Sequence, residues 1–198
     1  LRLDTIGKPG GYCGIGYLDG RNLPESLRGD FVVGDYKANR VQRFSVEEDG
    51  AGFSLRWHEP ILRSRHRNFR PVDVKVGPDG AIYVVDWYNP ITCHQDDAYR
   101  DPTRDKAHGR IWRLSASATP IKPPDFTTVS LPEVLDGLKA PEHWTRYQAK
   151  RALTQRDTTS VAKALRRWVS ALPQSPGIEH HLFEALGAYA TIEVVEPD

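Results

Sequence analysis

The chain has 198 residues, of which 39% are hydrophobic and 10% aromatic, enough for one large domain or two small ones. Its formal net charge is +1, so it lacks the strongly basic field that binding to nucleic acid would favour. No apolar run approaches the ~18 to 20 residues of a membrane span. The chain has no Met, even at its first position, which predicts that it is a piece of a longer protein.

Residues 1–117 hold most of the glycines and Asp-Gly turns, and this composition favours antiparallel strands. Val72, Val74 and Val76 occupy alternate positions, which is the period of a half-buried strand. The apolar run at Ile82 is typical of a strand that is buried on both faces. The predicted strands cover residues 12–18, 30–36, 40–46, 53–59, 71–76, 81–87 and 110–115.

This strand-rich part contains a weak internal repeat. The first copy reads DFVVGDY and then NRVQRFSV; the second reads AIYVVDWY and then GRIWRLSA. The copies start about fifty residues apart, as two successive blades of a β-propeller would. The alternative is two unrelated hairpins of an ordinary sandwich. The second copy carries an insertion, residues 88–109, and loops of this length are usually functional.

The composition changes near residue 118. Residues 118–130 are rich in proline and predict a linker. Residues 131–198 are predicted to form short amphipathic helices separated by Pro or Gly, a pattern typical of HEAT-like repeats. Ser130 and Glu133 form a capping box at the start of the first helix. The other predicted helices contain Trp144 to Leu153, Val161 to Leu172 and Leu182 to Tyr189.

Several long motifs resemble a bacterial protein family, the membrane-bound dehydrogenases of planctomycetes and related bacteria. They are RPVDVKVGPDGAIYVVDWYNP, HGRIWRL, YCGIGYLDGRNLPESLRGDF, NRVQRFSVEEDGAGF, YRDPTRDKAHGRIWRL and LDGLKAPEHWTRYQAKRAL. The resemblance implies a β-propeller fragment with antiparallel blades, followed by an all-α domain of HEAT-like repeats. Residues 1–117 would be the last blades of a six-bladed propeller like that of the glucose and sorbosone dehydrogenases.

The resemblance also implies an exported, periplasmic quinoprotein-like dehydrogenase of sugars or alcohols. Its implied cofactors are pyrroloquinoline quinone (PQQ) and calcium, and its electrons would pass to a cytochrome c domain elsewhere in the parent. Any haem would lie outside this chain, which has no CxxCH motif. The implied catalytic histidine and calcium ligands would fall upstream.

Two positions match the cofactor-binding cations of those quinoproteins. Lys37 falls where a lysine at the end of a propeller strand binds the quinone. Arg70 takes the first of two arginine positions that bind the cofactor's carboxylates, whereas Val72 occupies the second. Cations suit this role because PQQ is a tricarboxylate. The alternative for Arg70 is a salt bridge to Asp35 or Asp86.

Asp86, Trp87 and Tyr88 end a predicted strand and are candidates for the site. Asp35 and Tyr36 end a strand in the other copy in the same way. Because the pattern repeats, a structural role is the stronger interpretation of the carboxylates, each of which would cap a turn in its blade.

The insertion supplies further candidates. Its clustered carboxylates could bind calcium, although the interleaved arginines favour internal ion pairs instead. Cys93 could form a disulfide with Cys13, as in an oxidising compartment, or both could be buried free thiols. The candidates are His94, Arg100 and His108 for the mouth of the site and Asp96, Asp97 and Asp101 for the metal.

A second hypothesis belongs to another class of protein. The propeller and helices could form a non-catalytic scaffold that binds a carbohydrate or a protein partner, since both architectures offer large binding surfaces without chemistry. The missing second arginine at Val72 favours this hypothesis.

Overall fold

The computed structural model describes residues 10–91, 100–116 and 121–195. The chain divides into two compact units, Leu1–Ile121 and Lys122–Asp198. The division falls in the Pro-rich segment that the sequence predicts as a linker.

The first unit begins with a five-stranded antiparallel sheet, here called sheet A. Its strands are β1 (Tyr12–Tyr17), β2 (Phe31–Asp35), β3 (Arg40–Asp49), β4 (Gly52–Trp57) and β5 (Leu62–Arg63). The order across the sheet is β1-β2-β3-β4, and β5 pairs with the first residues of β3. Asp49 pairs with Gly52 in a two-residue hairpin, where Gly50 has a φ of 60° that suits glycine.

A three-stranded antiparallel sheet, sheet B, follows. It contains β6 (Pro71–Val76), β7 (Ile82–Asp86) and β8 (Arg110–Leu114) in that order. The turn between β6 and β7 is the predicted Gly-Pro-Asp-Gly turn. Gly80 has a φ of 73°, and the Asp79 carboxylate accepts the Ala81 N–H at 3.2 Å. The seven strands predicted from the sequence are confirmed, with ends that shift by a few residues.

The core of this unit lies between the two sheets. Val32 and Val41 of sheet A and Val74 and Val84 of sheet B have no exposed surface, and all four belong to one apolar cluster. Burying such side chains contributes about 1.5–3 kcal/mol each to folding. Strands β1 and β6 lie next to each other. Two consecutive antiparallel sheets packed in this way are consistent with neighbouring propeller blades.

Glycines allow the two sheets to approach closely. A Cβ on Gly34 of β2 would lie 2.4 Å from the Pro71 carbonyl oxygen of β6. A Cβ on Gly16 of β1 would lie 3.2 Å from the Val74 carbonyl oxygen. Because backbone atoms of sheet B fill these positions, only glycine fits here without a shift of a strand.

The opposite face of sheet A carries a row of aromatic rings. Tyr17, Phe31, Phe44 and Trp57 lie on consecutive strands, with centroids 4.9, 5.7 and 5.6 Å apart in turn. Such cross-strand aromatic pairs contribute about 0.5–1.5 kcal/mol each beyond their burial. The row therefore helps to fix the register of the four strands.

The second unit contains four α-helices. They are α1 (Leu131–Asp136), α2 (His143–Leu153), α3 (Thr158–Ser170) and α4 (Ile178–Thr191). The predicted capping box is confirmed, since the Glu133 carboxylate accepts hydrogen bonds from the Ser130 N–H and hydroxyl. Helix α3 begins where the Asp157 carboxylate accepts the Ser160 N–H at 2.8 Å. The core of this unit centres on the fully buried Val134, Leu138, Leu153, Val161 and Leu165.

A buried ion cluster joins α2 to α4. The Glu184 side chain is 7% exposed, and its carboxylate accepts from Arg146 at 2.9 Å and from Lys150 at 2.7 Å. Burial alone would raise the pKa of Glu184, but hydrogen bonds and charge from these two cations outweigh it and lower the pKa below its ordinary value.

Glu184→Gln is expected to lower the free energy of unfolding by about 2 kcal/mol at pH 7, because charged hydrogen bonds are lost. A carboxylate with a lowered pKa stabilises the fold above its unfolded pKa of about 4.3, and that stabilisation is lost as the pH falls. The difference between wild type and variant should therefore shrink below this pH. Urea unfolding from pH 7 to pH 3 measures it. Glu179→Gln, an exposed change in the same helix, should show no such pH-dependent difference.

Candidate functional site

One end of sheets A and B gathers most of the predicted site residues. Asp35 ends β2 and pairs with Arg40, while Asp86 ends β7 and pairs with Pro71 and Arg110. The connecting segments meet at this end through the hydrogen bonds described below. We call these segments the loop end, which comprises residues 36–39, 64–70, 87–91 and 100–109.

The carboxylate that ends each strand caps a turn, as the repeat predicts. Asp35 is fully buried, and its Oδ1 accepts the N–H groups of Gly11 and Ala38, each at 3.2 Å. Its Oδ2 accepts from Arg40 at 3.0 Å. These partners satisfy the buried charge, so Asp35 organises the turn after β2.

Asp86 does the same in sheet B. It is 2% exposed, and its Oδ1 accepts the N–H groups of Arg70 at 2.8 Å and Tyr88 at 2.9 Å. Its Oδ2 accepts the indole N–H of Trp112 at 3.0 Å. Both carboxylate oxygens are therefore engaged in holding two segments of the loop end and strand β8 together.

Arg70 is a buried brace between the two sheets. Its Nη1 donates to the Tyr36 carbonyl at 2.9 Å, next to β2. Its Nε donates to the Asn89 carbonyl at 2.9 Å and its Nη2 to the Pro90 carbonyl at 3.1 Å, both beyond β7. The alternative prediction of a salt bridge is wrong in detail, because the guanidinium bonds backbone carbonyls and only the Arg70 N–H reaches Asp86.

The electrostatic setting of Arg70 agrees with this role. The residue is 7% exposed. Burial lowers the pKa of its guanidinium, the nearby charge of Arg67 lowers it further, and Asp86 opposes both. An arginine remains charged under such shifts. The three backbone carbonyls thus replace water as hydrogen-bond partners of the buried guanidinium.

Lys37 lies on the turn that Arg70 holds. It is exposed, and it directly follows Tyr36, whose carbonyl accepts from Arg70. The structure therefore brings the two predicted cofactor cations to the same turn, but in different settings. Only Lys37 presents its charge to solvent.

The described residues do not by themselves fit PQQ. The resemblance requires three cations for the quinone carboxylates. Here Lys37 is exposed, Arg70 is committed to three carbonyls, and Val72 lies within β6 in the third place. Of these three positions, Lys37 alone offers a free cation, which is too few for a tricarboxylate. No catalytic step through the quinone follows from these residues.

Sequence reasoning missed a second brace, Asn39. Its φ is 54°, and its side-chain amide donates to the carbonyls of Phe69 and His66. The amide thus ties the turn after β2 to the segment that precedes β6. The signal was an Asn between two predicted strands, because Asn tolerates the left-handed region.

Tyr88 has a strained backbone and stacked side-chain partners. Its φ of 53° is uncommon for a bulky residue, and such conformations cost about 1–3 kcal/mol. The Arg110 guanidinium carbon lies 3.4 Å from the centre of the Tyr88 ring, and the His66 ring lies nearly parallel at 5.6 Å. A cavity of about 230 Å³ opens beside them. Its lining includes His66, Phe69, Asp86, Tyr88, Arg110 and Trp112.

Trp87 lines a second, wider cavity of about 450 Å³ together with Asn89, Arg104 and His108. The backbone N–H of Trp87 donates to the Arg70 carbonyl at 2.9 Å. The Arg104 guanidinium lies 5.7 Å from the centre of the Trp87 ring. The cavity lies where the sequence places the mouth of the site.

In the described part of the insertion, the carboxylates of Asp101 and Asp105 accept hydrogen bonds from residues two or three positions later in the chain. Hydrogen bonds from Thr103 lower the pKa of Asp101, and bonds from Ala107 and His108 engage Asp105. Arg100 is exposed. Within residues 10–91, 100–116 and 121–195, no three metal-ligating side chains come together. The candidates His94, Asp96 and Asp97 lie outside the described residues. Cys93 lies outside them too, so its predicted disulfide with the half-buried Cys13 stays a prediction.

The fold combines two consecutive antiparallel sheets, consistent with propeller blades, with four helices that follow them in the chain. The chain belongs to the family described as "Domain of unknown function (DUF7133)", whose model matches residues 1–118. No protein of curated function matches the chain. No helix in the described parts has both the length and the apolar character needed to cross a membrane.

Similar solved structures have a weak overall likeness to this chain. Two are described as glucose dehydrogenases, at 20% and 22% identity; each has a TM-score of 0.35 and covers 54% of this chain. A third, an oxidoreductase described as a glucose dehydrogenase from Thermus thermophilus, is 28% identical over 44% of this chain, with a TM-score of 0.31. The match covers 26%, 24% and 23% of those three chains, respectively.

Proposed function

We propose that the chain is part of an exported, periplasmic quinoprotein-like dehydrogenase of sugars or alcohols, and that its loop end faces the cofactor or substrate. The observation that carries the proposal is the Arg70 brace. One buried guanidinium donates to Tyr36 beside sheet A and to Asn89 beside sheet B. It therefore holds the Lys37 turn and the Trp87 loop as neighbours. Loops fixed by a rigid scaffold are a frequent setting for binding sites.

Each predicted residue receives a role in this proposal. Lys37 contacts an anionic group of the cofactor, and Arg70 positions the turn that presents it. The mouth of the site is formed by Trp87, Tyr88 and the insertion, which includes His94, Arg100 and His108. Asp86 positions this loop, and Asp96, Asp97 and Asp101 are candidate calcium ligands.

Other parts of the parent complete the proposed function. Most residues that hold PQQ, together with the catalytic base, would lie outside this chain, because Lys37 alone cannot bind three carboxylates. When bound, the quinone would accept the electrons of the substrate. A cytochrome c domain elsewhere in the parent would receive them, and the four helices would begin an array of HEAT-like repeats.

The second candidate is a non-catalytic scaffold that binds a carbohydrate or a protein partner. Its specific support is that the guanidinium that the resemblance assigns to a cofactor carboxylate is already engaged, since all three of its nitrogens donate to backbone carbonyls. A brace of this kind serves a recognition platform as well as it serves an enzyme.

Calorimetric titration of the full-length protein with PQQ, in the presence of calcium, separates the two candidates. The dehydrogenase proposal predicts saturable binding that Lys37→Ala weakens about tenfold, through loss of a charged contact, without a change in stability. Arg70→Lys should weaken binding and also lower the unfolding temperature, because it acts through the loops. Lys163→Ala, an exposed change on α3, is the matched control.

Two results would count against the dehydrogenase. Absence of PQQ binding, together with binding to a glycan panel, would favour the scaffold. Tight PQQ binding that Lys37→Ala leaves unchanged would remove this turn from the cofactor site.

A further inference from the structure

The smaller cavity of the loop end does not involve Lys37. It lies between the segment that precedes β6 and the adjoining ends of β7 and β8, and its lining includes the rings of Phe69, Tyr88 and Trp112. Phe69 is 4% exposed, whereas the rings of Tyr88 and Trp112 are partly exposed at the cavity. A small site with aromatic walls and few polar groups suits a flat, largely apolar ligand.

One permanent cation faces this cavity. The Arg110 guanidinium lies over the Tyr88 ring at 3.4 Å. A guanidinium stacked in this way keeps its N–H edge available for a carboxylate in the same plane. In the described part of the chain, no carboxylate lies within ion-pair distance of Arg110. The cavity's own carboxylate, Asp86, is already engaged by three donors.

His66 supplies a second donor. Its Nδ1 accepts the Asn68 N–H at 3.2 Å, so the neutral imidazole carries its proton on Nε2. The ring is exposed and stacks on Tyr88. The two side chains that stack on the Tyr88 ring therefore both offer N–H donors.

We propose that this cavity binds a small aromatic carboxylate. The ring of the ligand packs against Phe69 and Trp112, beside Tyr88, and its carboxylate accepts from Arg110 and from the Nε2–H of His66. The site is separate from the Lys37 turn, so its occupancy does not depend on a quinone. The strained backbone of Tyr88 is consistent with a ligand-binding role, because such strain clusters at functional positions.

Titration of the full-length protein with benzoate, followed by calorimetry and by tryptophan fluorescence, tests this proposal. Benzoate should saturate one site with a Kd at or below about 1 mM. Benzamide keeps the ring without the charge, and acetate keeps the charge without the aromatic ring. Both should bind at least about tenfold more weakly, since each loses one of the two contacts.

Arg110→Gln should weaken benzoate about tenfold or more, whereas Arg56→Gln, an exposed change on β4, should leave its affinity unchanged. Thermal unfolding of both variants verifies that they remain folded. The proposal is overturned if benzoate does not saturate a site or if either analogue binds as tightly. Retained affinity in a folded Arg110→Gln protein overturns it as well. The comparison of the three ligands on the wild type decides the question even if that variant does not fold.

Discussion

Asp86→Ala is expected to lower the free energy of unfolding by about 3–5 kcal/mol, because donors in and around the core lose their acceptor. The carboxylate accepts the N–H groups of Arg70 and Tyr88 and the indole N–H of Trp112. The Arg70 hydrogen bond is buried and the Tyr88 hydrogen bond is partly buried, so water replaces the carboxylate poorly while the turn stays closed. Urea unfolding, followed by tryptophan fluorescence, measures the loss.

Asp125→Ala is the matched control for this change. Asp125 also accepts an N–H and a hydroxyl, both from Thr127, but it is exposed and water can replace it. Its loss should therefore cost much less stability than the loss of Asp86. Equal effects of the two substitutions would mean that Asp86 does not organise the loop end.

Gly34→Ala is expected to lower the free energy of unfolding by about 3 kcal/mol, at the upper end of overpacking. The new methyl group would meet the Pro71 carbonyl oxygen at 2.4 Å and the Cys13 carbonyl oxygen at 2.9 Å. Both contacts are backbone atoms of neighbouring strands, so one strand must move. Equilibrium unfolding in urea gives the size of the effect.

Gly52→Ala, at the start of β4, is the control for Gly34→Ala. Its methyl group would meet only the Asp49 carbonyl oxygen at 3.8 Å, an ordinary contact. Little change in stability is expected there. If Gly34→Ala proves equally mild, the close packing of sheet A on sheet B is not required by the fold.

Local sequence signals predicted most of the strands. Alternating valines from Val72 to Val76, with an Asp-Gly turn at Gly80, specify a hairpin through neighbouring residues alone. Strand β5 was missed because its two residues, Leu62 and Arg63, are too short to show a period. The repeated Asp35 and Asp86 caps were predictable for the same local reason, since each carboxylate bonds an N–H two or three residues later.

The braces could not be predicted in the same way. Arg70 bonds carbonyls 34, 19 and 20 residues away, and these partners depend on where loops from two sheets meet. The Glu184 cluster likewise joins helices whose packing no local pattern specifies. The partners of a long side chain are determined by the tertiary fold, which brings residues that are distant in sequence within its reach. A residue type at a family position therefore predicts a charge, but not what that charge contacts.

This distinction changes the interpretation of Arg70. The resemblance assigns it a cofactor carboxylate, whereas its guanidinium bonds the backbone beside Lys37 and beyond β7. A positioning role accounts for its burial and for the lowered pKa of the guanidinium. It also leaves Lys37 as the exposed charge of the turn.

We propose that the loop end serves a sugar or alcohol dehydrogenase. Its most direct test is the rate at which the full-length protein, loaded with PQQ and calcium, reduces an artificial electron acceptor with a panel of sugars and alcohols. We expect substrate-dependent reduction that Lys37→Ala diminishes and Lys163→Ala does not. Absence of reduction with every substrate, in a folded protein that still binds a glycan, would contradict the claim and leave a recognition scaffold.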